Sequence, residues 1–193
     1  MKKEKVDRRI KYTKMVIQES LLQLIKEKPI AKISIKELCE KADVNRGTFY
    51  NHYQDVYDVL DNIQSKVSKE IIESVTVYLQ STKKQITDFS LYLFEYLDKN
   101  REIFKILLSK NANGDFIDNI YFLVQDTVMK DWKQKNPKID DKTLKMMFHY
   151  IAYGSISILQ LWIENDLQTT PEEMSIFMNQ ISEFGYSKYL IVN

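Results

Sequence analysis

Two helix starts stand eleven residues apart, at Ser34 and Asn45, and that spacing leaves room for little but a tight corner between two short helices. Ser34 followed by Glu37 is a capping box: the hydroxyl can accept from the free amide of residue 37 while the carboxylate reaches back. Ile33 just before the cap and Leu38 at the fourth helical position make a hydrophobic staple. The spacing predicts a helix over 34–42 with Ile35, Leu38, Cys39 and Ala42 on its inner side. Asp43-Val44-Asn45 is the turn, and Asn45 caps a third helix running through Tyr53. An amphipathic segment from Arg8 to Lys28 comes first, with Ile10, Ile17, Leu21, Leu24 and Ile25 near helical spacing and Pro29 just past its last turn. Asp55 caps a long fourth helix whose apolar stripe runs from Val56 and Val59 to Leu79.

Beyond residue 81 the pattern stays helical, over roughly 84–99, 101–110, 115–135, 142–165 and 172–190. Asn113-Gly114 and Asn136-Pro137 separate three of these segments. Thr170-Pro171-Glu172-Glu173 starts the last with a second capping box and a proline at the first position. No period-two alternation persists, and 4 Gly with 3 Pro are too few for a loop-rich β-sandwich or a disordered chain. The expectation is an all-α fold of about nine helices.

One cysteine can form neither an internal disulfide nor a multi-thiolate zinc site, which points to a reducing, cytoplasmic interior. No run is read as reaching the 18 or more apolar residues of a membrane span, and the charged N-terminus is unlike a signal peptide, so no membrane partner is expected. The net charge of +1 hides an asymmetry: residues 1–60 carry 13 basic and 9 acidic side chains, the remainder 15 and 18. A basic end can sit on a polyanion, although the first 14 residues read equally as a solvated tail.

A long helix followed by two short ones around a tight turn is the helix-turn-helix plan, whose second helix enters the major groove, about 12 Å wide, while the first braces it. Asn45, Arg46, Gly47 and Thr48 lie at the start of the third helix, where free amides favour phosphate. Arg46 could reach a guanine edge or a phosphate, Asn51 an adenine, and Thr48 a thymine methyl. Gly47 would let the backbone approach DNA closely. Tyr50, His52 and the Ser34 hydroxyl supply further donors, while Leu38, Cys39, Ala42, Val44, Phe49 and Tyr53 form the motif's core. Cys39 reads as a buried inert thiol or as a redox sensor.

The stretch Ile33–Leu60, ISIKELCEKADVNRGTFYNHYQDVYDVL, resembles the N-terminal DNA-binding domain of the TetR family of bacterial regulators. Leu38, Ala42, Val44, Gly47, Thr48, Phe49, Tyr50, His52, Tyr53 and Leu60 carry the resemblance, which spans about 50 residues from Arg8. It implies a DNA-binding domain over 1–54 and an effector-binding, dimerising domain over 55–193, with the fourth helix as the lever between them. Two positions depart from the family pattern. Asp43 replaces a usual Gly, and Asp tolerates the left-handed conformation less readily. Val56 replaces a Lys that would contact phosphate, so Lys32, Lys36 or the basic N-terminal arm is expected to make that contact.

The aromatics of residues 84–193 suit either a core or, as the resemblance implies, an effector cavity between helices four and eight. Such a cavity is expected to have aromatic walls, a few tyrosine hydroxyls and no strong fixed charge. Phe148, Ile151, Ser155, Ile158, Leu159 and Trp162 share a face of the eighth helix, with Gly154 and Ser157 beside them. Phe177, Ile181 and Phe184 add a stripe on the ninth. These stripes read as intramolecular core or as the four-helix bundle through which the resemblance implies a homodimer. Residues Lys145–Glu173 also resemble a TetR subgroup of Gram-positive bacteria that includes dihydroxyacetone-kinase operon regulators acting through a partner protein.

Catalytic constellations are missing from the sequence: His52 and His149 are the only histidines, and no HExxH, GxSxG, P-loop or GxGxxG occurs. No enzyme activity, metal or cofactor is expected. The leading expectation is a repressor that binds a palindromic double-stranded DNA operator as a homodimer and responds to a small apolar or aromatic effector. Two alternatives stand beside it: a co-activator controlled by a protein partner, and a helical interaction adaptor without DNA binding.

Overall fold

The computed structural model describes the backbone of residues 2–80, 86–112, 116–164 and 168–186, and the side chains of residues 8–77, 90–112, 116–164 and 168–181. Among the described residues there are nine α-helices and no strand, as the sequence predicts. They are α1 (Lys2–Glu27), α2 (Ile35–Ala42), α3 (Arg46–Tyr50), α4 (Val56–Gln80), α5 (Ile86–Lys99), α6 (Arg101–Leu107), α7 (Phe116–Lys135), α8 (Asp141–Glu164) and α9 (Pro171–Tyr186). A single 3₁₀ turn, Ile30–Lys32, follows Pro29.

Most helix starts are set by the predicted caps. The Ser34 hydroxyl accepts from the Glu37 amide at 3.2 Å, Asn45 Oδ1 from Thr48 at 2.7 Å and Asp55 Oδ1 from Asp58 at 2.9 Å. Asp140 caps α8 through the Thr143 amide and hydroxyl. Thr170 and Glu173 close a reciprocal capping box, the Glu173 amide donating to Thr170 Oγ1 and the Thr170 amide to Glu173 Oε2. Several ends differ from expectation. Helix α1 extends back to Lys2, because residues 2–9 are mostly Lys, Glu and Arg, which lose little rotamer freedom in a helix. Helix α6 stops at Leu107, three residues early.

The chain divides into two compact units, Met1–Val67 with Ile106–Gly114, and Ser68–Lys105 with Asp115–Asn193. The first is built on Ile17, Leu21 and Ile25 of α1, Leu38 of α2, Phe49 of α3 and Leu60 of α4, all essentially inaccessible to solvent. The staple residues Ile33 and Leu38 are both buried. The sequence reading placed residues 106–112 in the C-terminal region. Here the Ile30 amide donates to Asn111 O at 3.0 Å and Asn111 Nδ2 donates to Ile25 O at 3.0 Å, closing the corner after α1.

In the second unit α5 packs along α9, where Ser90 and Ser175 hydroxyls bond at 2.7 Å and Asn179 donates to Ser90 at 2.9 Å. The indole of Trp162 is fully buried against Phe94, with the Arg101 guanidinium 4.4 Å from its ring centroid. Its N–H donates to Thr169 O at 3.0 Å. Helix α8 proves long and apolar enough to cross a membrane by length and composition alone, contrary to expectation. Leu144, Phe148, Trp162 and Ile163 are its buried residues, and only 17% of its most apolar stretch is buried within this unit.

The corner after α2 contains the only non-glycine residue with positive φ among the described ones, Asp43 at φ 52°, ψ 45°. The Val44 amide donates to Cys39 O at 3.0 Å and the Asp43 amide to Glu40 O at 3.4 Å, the Schellman pattern that ends a helix. A side chain in that left-handed well costs energy that glycine avoids. Asp43→Gly should therefore raise stability by up to about 1 kcal/mol, and Asp43→Val should lower it by about as much or more. Thermal unfolding of the two variants checks both signs.

Candidate nucleic-acid interface

A five-residue helix cannot hold itself together in water. Helix α3 is fixed at its start by the Asn45 carboxamide and along its length by Phe49, which is fully buried and meets Tyr53 at 6.0 Å between ring centroids. Around that anchor, Asn45, Arg46, Gly47, Tyr50 and Asn51 are exposed, while Thr48 and His52 are half-buried. Tyr50 keeps 57% of its surface open and lies edge-on to Phe49 at 5.6 Å. On the bracing side, Ser34 and Lys36 are exposed, and Lys36 stands 3.8 Å from Glu40. The expected donors are thus gathered on the outer side of one helical corner.

Leu38, Cys39, Ala42, Phe49 and Tyr53 are buried and Val44 is half-buried. Burial pushes the Cys39 thiol up, away from the reactive thiolate, with the Arg46 charge opposing weakly. That burial favours the inert reading of Cys39 over the redox one.

Three details differ from the sequence reading. The helix predicted through Tyr53 ends at Tyr50. The His52 and Tyr53 amides both turn back to Phe49 O, at 2.9 and 3.0 Å, and the tightened turn swings Tyr53 inward. Gly47 does more than leave space for DNA: a β-carbon there would lie 3.3 Å from Asn45 Oδ1, so the missing side chain also makes room for the cap. The Glu37 carboxylate also has a partner beyond the Ser34 backbone of its capping box. Lys28 Nζ takes both of its oxygens at 2.6 and 2.7 Å, joining the end of α1 to α2.

Val56 is buried, so no phosphate contact is available there, whereas Lys32 and Lys36 are exposed. Arg8, Arg9 and Lys11 of the basic arm are exposed on α1. Lys28 and Gln18 are residues of this region that the sequence reading missed. Their signal was weak, because a lone Lys or Gln on a helix has no spacing rule that names its partner.

Against known proteins, a TetR C-terminal family described as "Transcriptional regulator C-terminal region" matches residues 84–183, just over half of the chain. The chain belongs to the TetR family of transcriptional regulators. It is 23% identical over 167 residues to YxbF, an HTH-type transcriptional regulator of Bacillus subtilis (strain 168), a match covering 82% of the chain. The chain spans only 42% of that relative's length. Among solved structures, it resembles a TetR-family regulator from Syntrophomonas wolfei str. Goettingen, with a TM-score of 0.73 and 20% identity. That match covers 95% of this chain and 99% of the other. It also resembles the dihydroxyacetone kinase operon activator DhaS, at TM-score 0.61 and 20% identity, covering 88% and 93% of the two chains. These likenesses show a TetR fold, and the family is one of transcriptional regulators.

The stripe expected to pair two TetR chains is corrected in part. Phe148 and Trp162 are core residues: Phe148 packs on Tyr121 at 5.2 Å and Trp132 at 6.1 Å, and Trp162 is covered as described above. Ile151, Ser155, Ile158 and Leu159 are half-buried. The outward face of α8 is rotated from the expected one and carries Met146, Tyr150, Tyr153, Gly154, Ser157 and Leu161. Phe177 and Ile181 of α9 are exposed, and the Phe184 side chain lies outside the described residues. In the aromatic region, Tyr96 Oη donates to Glu70 Oε2 at 2.6 Å. Burial together with that carboxylate pushes the Tyr96 phenol far up.

The Lys28 contact holds the Glu37 carboxyl below the usual carboxylate range. A group depressed in the folded state adds stability at pH above its unfolded value and loses it as pH falls through the folded one. Lys28→Met should therefore lower the melting temperature at neutral pH. The gap from wild type should close once pH drops below about 4, a convergence that calorimetry at stepped pH would follow.

Proposed function

We propose that this TetR-family protein is a cytoplasmic repressor that binds a roughly palindromic operator as a homodimer, with α3 as the element that enters the major groove. The outward grouping of Asn45, Arg46, Tyr50 and Asn51 around a buried Phe49 carries this reading. Arg46 and Asn51 are the base-reading candidates; Ser34, Lys36, Tyr50 and His52 suit phosphates. The DNA-binding domain is taken as residues 1–54 and the effector-binding, dimerising domain as 55–193.

Dimer formation is supported by the outward apolar face of α8 and by Gly154, where an added β-carbon would meet nothing within 4 Å. Small and large apolar residues side by side let a second helix approach closely and bury area. The effector is taken as a small aromatic molecule received among the rings of the second unit, where the Tyr96 hydroxyl and Glu70 supply polar contacts. A second reading draws on DhaS, which is named an operon activator, and on Phe122 and Leu123, exposed on α7. In that reading the chain activates transcription through a protein partner that covers α7.

Selection of duplexes from a random pool by the purified protein tests the operator assignment, with a two-fold symmetric consensus as the expected result. Arg46→Ala should weaken binding to that consensus by about 1–3 kcal/mol, and Tyr50→Phe by about 1 kcal/mol. If Arg46 reads a base, the loss falls mainly on the consensus. If it holds a phosphate, the log–log salt slope shrinks by about 0.9. Anisotropy titrations at several salt concentrations separate the two. For the dimer, Gly154→Glu sits at an open position of the single chain and should leave folding intact while converting a dimer to monomers in sedimentation runs.

A further inference from the structure

The carboxamide of Gln18 is half-buried on α1 and uses both of its N–H bonds within the first unit. Nε2 donates to Tyr53 Oη at 3.0 Å and to Asn62 Oδ1 at 2.8 Å. One nitrogen therefore joins three parts of the chain: α1, the turn that ends α3, and the second turn of α4. We propose that Gln18 is a positioning residue for DNA recognition, setting the direction in which α3 leaves the body of its unit.

The path from Gln18 to the DNA-facing side is short. Its first link is the hydroxyl of Tyr53, whose ring is buried, lies against Phe49 and has the Lys14 ammonium 5.6 Å from its centroid. Phe49 is the one buried residue of α3, so the placement of Tyr53 governs how that helix sits. A five-residue helix has no length with which to average out a tilt, and base-edge hydrogen bonds weaken steeply with angle. Burial pushes the Tyr53 phenol up, so it stays protonated and neutral at every pH at which the protein would be assayed. No other residue type combines an amide's two donors with this reach: Met fills the same volume without donors, and Glu would set lone pairs against Asn62 Oδ1.

The inference rests on the DNA-binding reading, and the experiment separates the two. Gln18→Met, Tyr53→Phe and the double variant are titrated against the duplex most enriched by the wild-type protein from a random pool. A mixed-sequence duplex of the same length serves as the non-specific reference, and each variant's melting temperature is recorded. The expected result is a roughly five- to tenfold loss of preference for the selected duplex in each single variant. Binding to the mixed duplex stays unchanged, and the double variant is no worse than Gln18→Met, which already removes the bond to Tyr53. Variants that keep the wild-type preference would overturn the proposal. So would a parallel loss on both duplexes that tracks the fall in melting temperature, which is what a merely structural bond gives. A wild-type protein that binds neither duplex would overturn the DNA-binding reading, and this inference with it.

Discussion

Helix α3 is too short to exist on its own, and everything the chain presents to a partner at this end depends on how that deficit is met. An isolated helix of five residues forms a single turn at the full cost of nucleation. Here the turn is held by one carboxamide cap at Asn45 and by one ring, Phe49, removed entirely from water. Burying a phenylalanine side chain contributes about 1.5–3 kcal/mol, and a good cap about 1 kcal/mol. The residues on the other side stay open to solvent: Arg46 and Asn51 are exposed, and Tyr50 keeps 57% of its surface open while its ring edge meets Phe49.

The same division runs through the bracing helix. Helix α2 ends in a left-handed residue and a Schellman turn, and its start is tied to α1 by the Lys28–Glu37 pair. Both devices sit at helix ends, where backbone groups lack intrahelical partners and side chains can decide direction. In the second unit the corresponding anchors are aromatic. Trp162 between Phe94 and Arg101, and Phe148 between Tyr121 and Trp132, place the inner face of α8.

Local signals made much of this fold legible from the residue order. Ser34, Asn45, Asp55 and Thr170 each cap the helix they were expected to cap, since an N-cap is decided within four residues of chain. What escaped was non-local. The Glu37 carboxylate has two partners, the Ser34 backbone that the capping box names and a lysine nine positions back, and only the folded chain brings the lysine within 2.7 Å. On α8, apolar residues occur on more than one side, so periodicity could not tell the face toward Tyr121 from the face toward solvent. Phe148 and Trp162 fell on the wrong side for that reason. Tyr53 was correctly assigned to the core, but its hydrogen bond to Gln18 spans 35 residues and no spacing rule reaches so far.

The return of residues 106–112 to the first unit has an engineering consequence. Ile106, Leu107 and Ala112 are buried there, and Asn111 satisfies backbone groups of both Ile25 and Ile30. A headpiece cut from the chain after Val67 would expose that apolar seam and leave two main-chain groups without their bonds. Grafting this reading head onto a foreign sensor would require carrying two separate pieces of polypeptide, or redesigning the corner after α1 to do without the second.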